Sequence, residues 1–184
     1  MDIRKMTEQA IDTAVINGAG SGGAPEGILQ NSDVDVLVGD TDGIAPTWAQ
    51  LVAMETAVRE ANAAGTNLNY LLTPGLIGLL KQTVHAGSGN WNYLLAADGK
   101  LNGYNTVGST LVPSNLTKGT GTNLHAAIFG DFSNVLIGEW GFYDMVVDNI
   151  TQKKSGLIEI TVNQFLDILI RNGEAFSVSK DFIV

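Results

Sequence analysis

Apolar residues recur at helical spacing from the start of the chain: Ile3, Met6, Ala10 and Ala14, with Ile11 and Val15 widening the stripe. The spacing predicts the end of an amphipathic helix over 3–16, stopped at Asn17-Gly18, where both residues tolerate the left-handed conformation that closes a last turn. No cap precedes it, so it reads as the latter part of a longer element. The run Gly18 to Gly23 predicts a flexible loop, and Pro25-Glu26-Gly27-Ile28-Leu29 predicts entry into a second lobe. A second helix is signed by Thr47 as N-cap with Gln50 three residues on. Leu51, Met54, Val58 and Ala61 form its stripe, and Gly65 is expected to close it. A short strand over 68–72 leads to Thr73-Pro74, a cap followed by proline at the first helical position. Ile77, Leu80 and Val84 are then expected to face a core.

Beyond Gly87 the period changes to two. Short strands are predicted over 93–95, 106–112 and 126–129, followed by a hairpin of strands 135–137 and 142–147 joined near Gly138-Glu139-Trp140-Gly141. The longest alternating run spans 157–171. Ile158, Ile160, Val162, Leu166, Ile168 and Ile170 point one way, while Glu159, Thr161, Asn163, Asp167 and Arg171 point the other, with Phe165 and Leu169 interrupting the polar face. That run exceeds the usual strand of about five or six residues, so it belongs to an extended lobe or reaches between lobes. The class is α+β, and 184 residues fit one compact body with two lobes.

Charge narrows the function. Nineteen Asp and Glu against ten Lys and Arg give a net charge of −9. Phosphate-gripping proteins carry basic patches, and here the one adjacent basic pair beyond the first residues is Lys153-Lys154. No cysteine is present, which excludes disulfides, thiolate metal sites and cysteine nucleophiles. No apolar run approaches the roughly 18 residues of a membrane span, and Met1-Asp2-Ile3-Arg4-Lys5 is no signal peptide.

Gly18-Ala19-Gly20-Ser21-Gly22-Gly23 matches G-x-G-x-x-G, but a dinucleotide fold needs those glycines between a strand and a helix. Here they follow a helix. His85 and His125 lack partners at ligand spacing. Asp33, Asp35, Asp40 and Asp42 cluster, and Asp40-Thr41-Asp42-Gly43 hints at a calcium loop, yet Ile44, Ala45 and the missing Glu at position twelve break the pattern. They read as turn residues. Asp131, Glu139, Asp144, Asp148, Glu159, Asp167 and Glu174 crowd the β half. Glu159 and Asp167 lie about 27 Å apart on one strand face, too far for a catalytic pair, and read as solvated or intersubunit charges. Trp48, Trp91 and Trp140 are read as core or interface residues, with Trp91 or Trp140 expected at an intersubunit or interlobe contact. No catalytic, cofactor-binding or metal-binding residue is assigned, and no enzyme activity is expected.

An ordered set of segments carries a resemblance. Asn17-Gly18-Ala19-Gly20 and Pro25-Glu26-Gly27-Ile28-Leu29 come first, then Leu72-Thr73-Pro74, Gly99-Lys100-Leu101-Asn102-Gly103-Tyr104 and Val112-Pro113. Phe129-Gly130-Asp131-Phe132-Ser133, Ile137-Gly138-Glu139-Trp140-Gly141, the run 158–170 and Glu174-Ala175-Phe176-Ser177-Val178 follow. Together they resemble the major capsid proteins of tailed bacteriophages with the Hong Kong 97-type fold. The resemblance implies a peripheral lobe holding the end of a spine helix (1–24), an axial lobe (25–130), long peripheral strands (131–172) and a return to the axial lobe (173–184). It also implies a shell subunit that forms pentamers and hexamers with itself, meets scaffolding and portal proteins, encloses double-stranded DNA without reading its sequence, and resides in the virion after assembly in the host cytoplasm. The family's N-terminal arm and extended loop precede the spine helix, so the chain reads as the C-terminal part of such a protein. The lysine of the Lys–Asn crosslink found in some members lies on that loop, and no crosslinking residue is carried over. Encapsulin-like shells share the fold, and a small oxidoreductase using Gly18 to Gly23 is the alternative of another class. Neighbouring tail and portal genes would separate phage from encapsulin, and nicotinamide or flavin binding would reveal the oxidoreductase.

Overall fold

The computed structural model describes residues 3–85 and 92–184, apart from the side chains of Phe142 and Tyr143. Its body is built around β6 (Gly121–Asp131), which is apolar on both faces over 126–130, as a strand covered from both sides requires. On one flank β6 pairs antiparallel with β2 (Leu68–Leu72), Tyr70 opposite Phe129. On the other it pairs antiparallel with β9 (Phe176–Phe182), Ile128 opposite Val178. Outward from β9 lies β1 (Asp35–Leu37), parallel to it. Outward from β2 lie β4 (Tyr104–Gly108), parallel, and β3 (Lys100–Leu101), antiparallel to β4. β5 (Leu116–Lys118) folds back onto the first half of β6. Asn102 and Gly103, both at positive φ, make the tight β3–β4 turn.

Alternation along β6 assigns its side chains to two cores. Ala127 and Phe129 face Leu51, Met54, Val58, Tyr70, Leu72, Leu76 and Leu80 from the helices and β2. Ala126 and Ile128 face Ile16, Ile28, Leu29, Val34, Val112, Phe176 and Val178 on the other side. Phe182 shares parity with Phe176 and Val178 yet joins the first core. A bulge explains this: His125 opposes Phe182 and Ala127 opposes Ser179, so β9 advances three residues while β6 advances two.

The helices form largely where the apolar spacing predicts. α1 spans Ile3–Asn17, α2 Trp48–Glu60 and α3 Pro74–Leu80. Gln50 Oε1 accepts from the Thr47 backbone N–H at 2.9 Å, and the Leu76 N–H donates to Thr73 Oγ1 at 3.2 Å. Two expectations fail. α2 is closed by Asn62 at φ +56, with Ala63 N–H donating to Val58 O and Asn62 N–H to Arg59 O. This six-to-one and five-to-two pair of bonds needs no glycine when an asparagine takes the left-handed position. Gly65 lies beyond the helix end. Val84 is 37% exposed and pairs with Tyr93 in an isolated bridge, so it does not face the core.

The remaining strands form a separate two-stranded ribbon, β7 (Val135–Asp148) with β8 (Glu159–Ile170). The expected turn at Gly138-Glu139-Trp140-Gly141 is absent. Gly138 stays paired with Asp167 and Trp140 with Phe165, and the strand continues to Asp148. From Trp140 to Asp144 β7 advances four residues while β8 advances two, from Phe165 to Asn163. Gly141, at φ +85, thus lies in a bulge within one long strand. The chain reverses at 149–158 instead, through a single turn at Lys153–Ser155 closed by Gly156 at φ +67.

Candidate assembly surfaces

The junction after α1 is a built joint. Gly18 N–H donates to Ala14 O at 2.8 Å, Ile28 N–H to Val15 O at 2.9 Å and Leu29 N–H to Ile16 O at 3.0 Å. The carbonyls of Val15 and Ile16, left without a helical partner at the end of α1, are thus taken up by the returning chain. Gly27 N–H donates to Gly18 O at 3.0 Å and Ala19 pairs with Glu26, closing an ordered loop rather than the flexible one expected. A side chain on Gly27 would collide with backbone atoms of Ala14, Asn17 and Gly18. Gly18 and Gly27 therefore serve close backbone approach.

The ribbon leaves the body as it lengthens. Ile168 near its base is 6% exposed, whereas Ile158 at its far end is 65% exposed. A lone two-stranded ribbon is marginal in water, so its broad apolar surface seeks a partner. Val135, Ile137, Met145, Val147, Ile160, Val162 and Leu166 share one face by register, while Leu136, Leu169, Trp140 and Phe165 share the other. Between α1 and β8 runs an open groove of about 850 Å³, lined by Ile3, Met6, Ala10, Ile160, Val162 and Leu166 among others. Trp140, 57% exposed, and Phe165, 63% exposed, stand at its edge. The turn at the ribbon's end is organised by Asp148: its Oδ1 accepts from Ile150 and Thr151 N–H at 2.7 and 3.1 Å, and its Oδ2 from Thr151 Oγ1 at 2.5 Å. Those bonds hold its pKa below the usual carboxylate value.

The sequence model of the phage capsid family matches residues 1–181. The chain belongs to the phage capsid family. It is 31% identical over 173 residues to the major capsid protein of Halomonas phage phiHAP-1, covering 92% of this chain and 26% of that protein. It therefore spans about a quarter of that relative's length. The fold is similar to the capsid of an empty GTA particle, at TM-score 0.61 and 18% identity over 98% of this chain and 64% of that one. It is also similar to the SrpI encapsulin of Synechococcus elongatus PCC 7942, at TM-score 0.58 and 14% identity over 97% of this chain and 62% of that one. The architecture is the α+β Hong Kong 97-type.

In this capsid-family chain the residues considered for chemistry are scattered. His125 Nδ1 lies 2.6 Å from Thr73 Oγ1, at the start of α3, and burial lowers its pKa. His85 packs tilted against Trp48, ring centroids 4.9 Å apart, and Trp48 packs on the first core. Trp91 lies outside the described residues. Asp35 accepts from Ser177 Oγ at 2.9 Å and Asp42 from Thr120 N–H at 2.8 Å, which separates the members of the acidic run. Gly20, Gly22 and Gly23 sit in the ordered loop after α1, and no helix begins there. Among the described residues no three His, Asp or Glu side chains converge on a metal position. Asp131 differs from the other carboxylates of the β half: it is buried and caps a short turn, its Oδ1 accepting from Ser133 N–H at 3.0 Å. Glu139, Asp144, Glu159 and Asp167 lie along the ribbon, and Glu174 is exposed where the chain re-enters the sheet.

Two polar clusters escape sequence reasoning because their partners are far apart along the chain. Lys118 Nζ lies 2.5 Å from Asp181 Oδ2 and donates to Gly39 O at 3.0 Å. Asp181 also accepts from Gly39 N–H at 2.8 Å and Ser179 Oγ at 2.9 Å. Burial alone would raise the Asp181 pKa, but these donors and the Lys118 charge hold it below normal. On α2, Glu55 accepts from Tyr104 OH at 2.7 Å, from Arg59 Nε at 2.6 Å and from Asn102 Nδ2. Burial works to raise the Glu55 pKa, and these bonds outweigh it and lower it.

Proposed function

We propose that this chain is a structural subunit that builds an icosahedral phage or prophage shell by associating with copies of itself into pentamers and hexamers around double-stranded DNA. The observation carrying this reading is the family match across 1–181 on a Hong Kong 97-type fold. The chemistry agrees with it: the molecule offers an apolar ribbon, a groove and an exposed tip, and a shell works by repeating one set of complementary surfaces under closed symmetry. The same reading divides the chain into a peripheral part at 1–24 and 131–172 and an axial part at 25–130 and 173–184. In support, 135–170 form the ribbon while 176–182 run inside the central sheet. Scaffolding and portal proteins are its further partners, and the host cytoplasm is where assembly occurs. Its role is structural rather than enzymatic.

The likeness to SrpI favours one second reading, an encapsulin-like compartment shell. Sedimentation velocity separates shell building from a solitary protein. Species of five or six subunits are expected for the protein expressed from its whole reading frame, and a monomer at every concentration would overturn the reading.

A further inference from the structure

We propose that His125 is a proton-operated latch: when its Nδ1 takes up a proton in mild acid, Thr73 can no longer donate to it, and the start of α3 is released from β6 and from the end of β9. The device belongs to the fold of a single chain and holds whether or not copies assemble.

Three elements meet at this side chain. His125 sits on β6 opposite Phe182 of β9, at the bulge where β9 advances three residues for two of β6. Its Nδ1 lies 2.6 Å from Thr73 Oγ1, which accepts from the Leu76 N–H at 3.2 Å and so caps α3. The ring rests against Gly75, where a Cβ would come within 2.9 Å of its Cε1. One residue past Phe182, Ile183 N–H donates to Ile44 O, and Ile44 N–H donates to Asp181 O. The end of β9 thus also holds the segment that leads into α2. One side-chain hydrogen bond ties a helix start to the last strand and its attachments.

Proton counting decides which form of the ring fits. Thr73 is 1% exposed, so its hydroxyl proton needs a protein acceptor, and among the described residues Nδ1 is the one it meets. The neutral imidazole with its proton on Nε2 offers that lone pair. A proton on Nδ1 removes it. Either two hydrogens then face each other across the same short gap, or Thr73 turns and its buried hydroxyl proton loses its partner, and both are costly. The imidazolium would also stand at the positive end of α3.

The elements packed around His125 supply no unpaired countercharge. α3 and β2 carry no charged residue. β6 carries Asp131 alone, six positions on, where it accepts from the Ser133 N–H. Lys118 of β5 and Asp181 of β9 already pair with each other at 2.5 Å, and Lys180 of β9 is a like charge. Burial accordingly lowers the pKa of His125 below the ordinary 6.5, so the folded chain binds fewer protons than the unfolded one. The latch is fully closed above pH 6.5 and opens as pH falls below that value through the folded pKa.

The test uses mass spectrometry on the protein expressed from its whole reading frame. Exchange of the histidine Cε1 hydrogen gives the titration of His125. Backbone amide exchange, corrected for the intrinsic rate at each pH, gives the protection of α3 and of 182–184. That protection is expected to fall about tenfold or more across the His125 titration. His125→Asn, whose Oδ1 still accepts from Thr73 and does not titrate, is expected to keep it level over the same range. Thr73→Val is expected to raise the His125 titration toward 6.5, because the donor that favours the neutral ring is gone. Protection of the unaltered chain that stays flat through the measured titration would overturn the latch. An equal fall in His125→Asn, or an unmoved titration in Thr73→Val, would overturn it too. The first readout needs no variant, so a variant that fails to fold does not rescue the idea.

Discussion

At Gly27 the side chain is excluded by backbone on three sides: Ala14 O, Asn17 N and Gly18 N occupy the space a Cβ would need. Backbone cannot step aside as a flexible side chain can, so Gly27→Ala should destabilise the fold by about 3 kcal/mol, read as a lowered urea midpoint. Gly22→Ala is the control, because nothing lies within 4 Å of a Cβ there and only its φ of +66 opposes the change. It should cost about 1 kcal/mol. Asp181 sets a pH dependence. Its pKa is depressed in the folded chain below the ordinary 3.8, so the folded state binds fewer protons than the unfolded one at mildly acidic pH. Its contribution is therefore fully present above pH 3.8 and is lost as pH falls below that value through the folded pKa. Lys118→Met should lower stability by about 1–3 kcal/mol at neutral pH and flatten the acid limb of a stability–pH curve. An unchanged acid limb would show that the ion pair does not carry it.

At the level of elements, caps decide where helices start. Thr73 Oγ1 serves both the Leu76 N–H and His125, so Thr73→Val should cost about 1–2 kcal/mol in thermal or urea unfolding. Thr73→Ser, which keeps the hydroxyl, should cost much less. Helix starts were legible because a cap and the residue it bonds are three apart in sequence, as with Thr47 and Gln50. Helix ends and turns were less so. Gly65 looks like a terminator, but Asn62 ends α2, and Gly138 and Gly141 look like a hairpin turn where Gly138 stays paired and Gly141 lies in a bulge. A glycine shows that the backbone needs freedom or space at a position. It does not say whether a turn, a bulge or a close crossing uses it, and Gly27 is the third case.

Across the whole molecule, the long alternating run at 157–171 correctly foretold an extended strand, since period two needs only local information. The groove between α1 and β8 was not legible, because Met6 and Val162 are brought near each other by tertiary structure alone. The same holds for Lys118 and Asp181, 63 residues apart. What the sequence did carry was order: the succession of short segments matched the family although each segment alone is weak. Under the proposed shell-building function, the apolar ribbon, the ordered joint behind α1 and the two-sided core serve one purpose, holding the exposed surfaces in a fixed relation from copy to copy. Negative-stain microscopy of the protein expressed from its whole reading frame tests that claim most directly. The account predicts closed icosahedral shells, or free pentamers and hexamers, while uniformly monomeric particles across salt and pH would contradict it.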